Sequence, residues 1–297
     1  MMITSRSEII KVAPFFLRNK EIDKMGFLQK ILLIINGKLV SFLFKNTSKN
    51  IFCAIFNLIY RNDGKIYFED NKYIKRSPEG RNIAFPNKRV MRLVNDYKSQ
   101  ITNFANSYFI NDLNIKDTDT IVDCGANVGE LNIALKEKGL NVNYIAFEPE
   151  KEIYKSLVFN NSEKKSILHN IGLSNETTTK KLYSDISGGN SSFVEFGISN
   201  FTENKVTRLD TLLDNTPIKL FKLDAEGYEP EVLEGCEDIF KNIQYISVDF
   251  GNERGVGQEN TIAKVNKILQ ENNFSLIKVG NVRLVGLYKN NLIRNIQ

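Results

Sequence analysis

The sequence predicts an α/β fold: a mainly parallel sheet with helices on both faces, preceded by a basic, mainly helical extension. Three observations predict it. From Thr120 onward, short apolar runs alternate with segments of helical period, the pattern of a parallel sheet fed by crossover helices. A glycine loop, Asp123-Cys124-Gly125-Ala126-Asn127-Val128-Gly129, follows the first of these runs and opens a helix. The charge is also divided: residues 1–100 hold 19 Lys/Arg against 8 Asp/Glu, a net +11, whereas the remainder carries −6. The expected organisation is an extension over 1–87 and an α/β domain over 88–297.

In chain order, the start has no apolar core of a secretory signal followed by a small-residue cleavage site. The most apolar stretch, 27–44, is interrupted by Lys30, Lys38 and the pair Asn36-Gly37, and reads as two short amphipathic helices rather than a membrane span. Residues 65–76 place β-prone pairs around Glu69-Asp70-Asn71 and read as a hairpin. Apolar residues recurring from Val90 to Tyr108 predict a helix over 88–112. Strands are expected at 121–124, 143–147, 166–170, 220–224 and 245–250. The helices between and after them are expected at 131–138, 151–160, 230–241 and 262–270, with Pro230 suited to a first turn. A last hairpin, 275–279 with 283–288, turns at Gly280-Asn281.

Composition bounds the function. A chain of 297 residues with 42% hydrophobic and 25% charged residues can bury a sizeable core. Cys53, Cys124 and Cys236 are spread singly, which excludes a zinc ribbon or a disulfide scaffold and fits a reducing cytoplasm. The single histidine, His169, rules out a two-histidine metal site and makes a Ser-His-Asp triad a poor reading. The basic first hundred residues suit an anionic partner: a membrane surface, a phosphorylated substrate or nucleic acid. A plainly solvated basic face is the simpler alternative.

The chemistry lies at the ends of the expected strands, where open α/β sheets bind ligands. The glycine spacing is G-x-x-x-G, with the acidic Asp123 before it. A dinucleotide pyrophosphate would be repelled there, whereas S-adenosylmethionine (SAM) presents an ammonium and a sulfonium that a carboxylate favours. Glu148 ends the second strand at about the 20-residue spacing from the loop at which an acidic side chain reaches a ribose diol. Its simpler reading is a helix N-terminal glutamate favoured by the dipole. In Lys222-Leu223-Asp224-Ala225-Glu226-Gly227-Tyr228-Glu229, three carboxylates cluster where donor and acceptor would meet. Glu229 and Glu231 also read as charges on the first turn of the next helix. In extended backbone, Asp224 and Glu226 would point the same way. The polar loop 187–192 is either a cover for the acceptor or a surface turn.

The order of Ile121–Gly129, then Ala146-Phe147-Glu148-Pro149, then Arg208-Leu209-Asp210-Thr211-Leu212, then Lys222–Glu229 with Val232-Leu233-Glu234-Gly235, resembles the FkbM-type methyltransferase family over about residues 105–250. The resemblance implies a Rossmann-like, class I methyltransferase fold with a seven-stranded sheet, SAM as cofactor, and O-methylation of a hydroxyl on a sugar, glycan or secondary metabolite. Relatives often carry an acidic residue where this chain has Asn175, within Ile171-Gly172-Leu173-Ser174-Asn175. The residues expected at the cofactor are Asp123, Gly125, Ala126, Asn127, Gly129, Glu148, Pro149, Ile171 and Gly172, and the catalytic pair is Asp224 and Glu226. No metal ligands are assigned. A divalent ion held by Asp224, Asp249 and Asn252 is a less favoured variant.

Two other classes compete. A nucleic-acid methyltransferase would use the basic extension, but the chain has no tryptophan for base stacking and no Asn/Asp-Pro-Pro-aromatic motif. A metal-dependent glycosyltransferase could use Asp224 and Glu226, yet would not need the Asp123 loop joined to Glu148. The expected partner is a small-molecule or glycan acceptor, with peripheral membrane contact through residues 1–60 and a cytoplasmic location. Nothing in the sequence sets the oligomeric state.

Overall fold

Thr120–Cys124 (β4) is buried throughout, as a central parallel strand must be, with Asp123 its one charged residue. In the computed structural model, which describes residues 25–61, 63–185, 190–280 and 283–293, this strand lies near the middle of a seven-stranded sheet. Its order is β13-β14-β12-β11-β4-β5-β6. The neighbours are Asn143–Phe147 (β5), Ser166–His169 (β6), Ile218–Leu223 (β11), Ile243–Asp249 (β12), Phe274–Val279 (β13) and Val285–Asn290 (β14). Strands β6, β5, β4, β11 and β12 run parallel. β14 is antiparallel to β12 and carries β13 at the edge.

The chain proceeds from β4 outward to β5 and β6, then returns to the other side of β4 as β11. That reversal leaves a crevice at the carboxyl ends of β4 and β11. Glu130–Glu137 (α4), Lys151–Asn160 (α5), Glu229–Glu234 (α6) and Ile262–Glu271 (α7) make the crossovers. The core of this sheet includes Val122, Phe147, Phe221, Leu223, Ile246, Val248 and Leu269.

By internal packing the chain falls into two compact units, 1–100 and 101–297. The division runs within the helix Tyr97–Ser107 (α3), whereas the sequence-based boundary precedes residue 88. The first unit contains Phe27–Asn46 (α1), Lys49–Ile59 (α2) and a three-stranded antiparallel sheet of Lys65–Glu69 (β1), Lys72–Arg76 (β2) and Asn82–Phe85 (β3). Its centre is Phe52, Phe56, Ile83 and Phe85, with Phe52 set edge-on to Tyr73.

Three expectations are corrected. The run 27–44 is one helix, because a single glycine costs a helix only about 1 kcal/mol and Gly37 is buried where small size suits packing. The helix over 88–112 is broken: a 3-10 turn at Lys88–Leu93 precedes α3, and another follows at Ile110–Asp112. Asp96 adopts a left-handed φ of 58°, and the Asp63 carboxylate accepts the Tyr97 N–H at 2.9 Å, so α3 starts afresh there. A second sheet, order β7-β10-β8-β9, was not foreseen. It joins Gly172–Leu173 (β7), Thr178–Asp185 (β8), Asn190–Ser192 (β9) and Phe201–Thr207 (β10). The turn residues Asn281 and Val282 of the last hairpin lie outside the described residues, as do 1–24 and 186–189.

Candidate active site

The register of β4 against β11 sets the floor of the crevice. Asp123 and Lys222 are direct neighbours on these strands, so their side chains leave on the same face, and Lys222 Nζ lies 3.0 Å from Asp123 Oδ1. Asp123 is 1% exposed and also accepts the Tyr144 hydroxyl at 2.6 Å. Burial alone would lower the Lys222 pKa, but the Asp123 and Asp224 charges outweigh it and hold the ammonium above its ordinary range. Lys222 further donates to Gly125 O at 2.8 Å, tying the glycine loop to β11. The Asp123 carboxylate thus lies in a buried ion pair beneath the loop.

The loop is built by left-handed residues at Gly125, Asn127 and Gly129, with φ of 68°, 51° and 85°. A β-carbon on Gly125 would lie 1.8 Å from Asp224 O, so glycine is required for the loop and the β11 tip to cross. At Gly129 the obstacle is Asn161 Nδ2 at 1.9 Å, so this glycine serves the packing of α4 against α5. Ala126 is buried, and its N–H and that of Gly125 both donate to Phe147 O at 3.1 Å.

Glu148 meets the loop from β5. It is 4% exposed, and its carboxylate accepts the N–H of Asn127 at 2.9 Å and of Glu150 at 2.9 Å. A carboxylate offers about four acceptor sites, so two remain for the hydroxyls of a ribose. The loop, Glu148 and the half-buried Pro149 thus form one connected rim that could hold the nucleoside end of SAM. Ile171 and Gly172 lie elsewhere in character. Gly172 is paired with Val206 in the second sheet with Phe193 against it. Ile171 lines a cavity of about 330 Å³ with Thr177–Thr179, Lys205–Thr207 and Leu212. His169, paired with Phe147 across β5 and β6, stacks on its ring.

Burial pushes the Glu148 carboxyl up to about 8. The folded chain therefore keeps a proton that the unfolded chain has released, and stability falls as pH rises from about 4.5 to about 8. Ribose hydroxyls donate to the ionised form, so SAM affinity should rise over the upper part of the same interval. Above about pH 8, the SAM affinity of Glu148→Gln should be about 10- to 100-fold below the parent's, the worth of a charge-assisted contact, and this pH slope should vanish. Calorimetric titration across pH checks both; equal affinity in a folded variant removes Glu148 from the site.

At the tip of β11 the acidic cluster takes a form the sequence did not show. The strand ends at Leu223, and Glu226 is left-handed at φ 50°, so extended alternation does not align it with Asp224. The loop fold does so instead: carboxylate oxygens of Asp224, Glu226 and Glu253 all lie within 4.8 Å of one another. Glu253 was missed by the sequence reading. Its Oε2 is buried with no hydrogen-bond partner among the described residues, and burial, with the Glu226 and Asp224 charges, pushes its carboxyl up to about 9.

Asp224 is held by three groups. Tyr108 donates to its Oδ2 at 2.5 Å, Arg283 lies 3.4 Å from the same atom, and Lys222 is 3.9 Å away. Tyr108 lies between the two cations, each 5.2 Å from its ring. Arg283 also pairs with Asp249, and Asn252 is exposed. Glu229 is a loop clamp: its buried carboxylate accepts from Ala225 N, Gly227 N and Thr261 Oγ1 at 2.9–3.0 Å. Of the polar loop 187–192, residues 187–189 lie outside the described residues. Ser192 donates to Glu226 O at 2.8 Å.

The described family whose pattern matches is the methyltransferase FkbM domain, over residues 123–276. Among solved structures, a methyltransferase FkbM from Methylobacillus flagellatus KT is 17% identical, with a TM-score of 0.46 over 67% of this chain. The match covers 52% of that protein, so this chain spans about half its length. A SAM-dependent methyltransferase from Aquifex aeolicus is 13% identical, with a TM-score of 0.39 over 64% of this chain and 96% of its own. No curated protein matches.

Proposed function

Because the chain belongs to the FkbM methyltransferase family, over a match that spans the loop, Glu148 and the acidic cluster, we propose that it is a SAM-dependent methyltransferase that methylates a hydroxyl of a sugar, glycan or secondary metabolite. The observation that carries the reading is the cluster of Asp224, Glu226 and Glu253 at the sheet's switch point, beside the rim that fits a nucleoside. SAM supplies a methyl group on a sulfonium, itself a good leaving group. Asn127, Glu148 and Pro149 hold its nucleoside end.

A hydroxyl is a weak nucleophile, and a carboxylate beside it takes its proton as the new bond forms. Glu226 fills that part. Three carboxylates this close do not all ionise near neutral pH, and burial with the neighbouring Glu226 and Asp224 charges raises the Glu253 carboxyl. Asp224, fixed by Tyr108 and Arg283, orients the acceptor hydroxyl rather than taking its proton. Alignment of donor and acceptor supplies several kcal/mol more.

The test is a thermal-shift panel with SAM, S-adenosylhomocysteine, NAD, UDP-sugars and RNA, followed by methyl transfer to hydroxyl acceptors with and without a chelator. Stabilisation by the first two ligands and chelator-resistant transfer are expected. Stabilisation by UDP-sugars alone would replace the reading with the glycosyl transfer considered above, and transfer to RNA would replace the acceptor class.

A further inference from the structure

Residues 27–59 contain four lysines and no acidic residue. They form α1 and α2, and α1 has two unlike sides. Leu33, Ile34, Gly37 and Val40 are buried. Leu28, Leu32, Ile35, Leu39 and Phe42 stand exposed, at 74%, 59%, 56%, 54% and 62%. Their spacing of four, three, four and three residues puts all five on one stripe about 20 Å long. On α2, Ile51 and Leu58 repeat the arrangement, two turns apart and both exposed, while Phe52, Cys53 and Phe56 are buried.

An exposed apolar stripe of this size needs an occupant, and the charge around it says which. Lys38 and Lys45 flank the stripe and are exposed, and Lys49 starts α2. We propose that α1 and α2 seat this protein on the surface of a bilayer containing anionic lipid, with the stripe dipping below the headgroups and the lysines at phosphate level. Helices that lie in the interface combine these features: an apolar face, a basic margin and few acids.

By length and composition α1 could also cross a membrane. Its attachment argues against that. The Lys88 ammonium donates to Phe44 O at 2.6 Å and to Thr47 O at 2.8 Å, Phe44 packs edge-on to Phe52, and Asn57 pairs in both directions with Ile66 of β1. Buried residues along α1 and the fixing of its end by Lys88 favour a helix lying along a surface over one threading through it. The proposal is independent of the methylation reading, and its test measures no turnover.

The full-length protein is sedimented with phosphatidylcholine vesicles, with and without phosphatidylglycerol, across a salt series. Binding to the anionic vesicles, weakening as salt rises, is expected. A Leu32→Ser/Ile35→Ser double variant should bind about 10- to 100-fold more weakly, from the apolar area lost, with an unchanged melting temperature because both positions face solvent. Lys38→Glu/Lys45→Glu should abolish the preference for anionic lipid. Absence of binding at low salt, or equal binding by the apolar variant, overturns the proposal. So does a concentration-dependent dimer that the Leu32/Ile35 variant dissociates, since the stripe then covers a second copy. Resistance of the membrane-bound protein to alkaline carbonate would overturn it in favour of a spanning helix.

Discussion

Methyl transfer by the Glu226→Gln variant should fall by about 10²- to 10⁴-fold, the usual worth of a positioned base, while SAM affinity stays near that of the parent. Glutamine keeps the shape of the side chain and loses only the ability to take a proton. The left-handed backbone at Glu226 is a strained position of the kind found where function over-determines geometry. Glu253→Gln should behave differently. Burial and the neighbouring carboxylates hold the Glu253 carboxyl protonated up to about 9, and glutamine is also neutral. Turnover at pH 7 should therefore stay within a few-fold of the parent. Above about 9 the Glu253 carboxyl of the parent ionises and its rate should change, whereas the Glu253→Gln profile should lack that limb. Formation of S-adenosylhomocysteine across pH measures both. Full activity in Glu226→Gln would leave the cluster a structural one and the acceptor activated by alignment alone.

The largest effect on stability is expected at Lys222. Lys222→Met leaves Asp123 buried, 1% exposed and without its counter-charge. Removing one partner of a buried pair costs about 3–5 kcal/mol, which for a unit of this size lowers Tm by roughly 10 °C. The double variant Asp123→Leu/Lys222→Met should recover most of the loss, because replacing both charges by apolar groups removes the desolvation penalty as well. Thermal and urea melts of the three proteins decide this. A single variant as stable as the parent would mean that Asp123 is neutral in the fold and that Lys222 serves Asp224 instead.

The main sheet was legible because its strands are short apolar runs punctuated by glycine, proline and acidic residues: Ile121–Cys124, Asn143–Phe147 and Leu220–Leu223 each end where the sequence turns polar. The second sheet was not, because β8 reads Thr-Thr-Lys-Lys-Leu-Tyr-Ser-Asp and buries only Leu182. Such a strand has no periodicity to detect and is held by its backbone partners in β10. At the candidate site, the residues the sequence singled out lie in continuous motifs: the glycine loop, Glu148, Asp224 and Glu226. Those that reach it from other places were missed. Lys222 carries no signal until the β4–β11 register puts it beside Asp123. Tyr108 looked like one apolar position of a long helix. Glu253 and Arg283 come from loops after the last parallel strand, where no spacing marks them.

The strand order also sets a timetable for synthesis. β14 follows β13 in the chain, yet it lies between β12 and β13 and is hydrogen-bonded on both sides. Until Val285–Asn290 has left the ribosome, β12 has one bare edge and β13 has nothing to pair with, and bare edges invite association between chains. Arg283, which neutralises Asp224 and Asp249, arrives in the same short stretch. A nascent chain therefore carries an unbalanced acidic cluster and an open sheet until β14 has been made. Sheet closure and charge balance at the site are completed together, as residues 283–290 are translated.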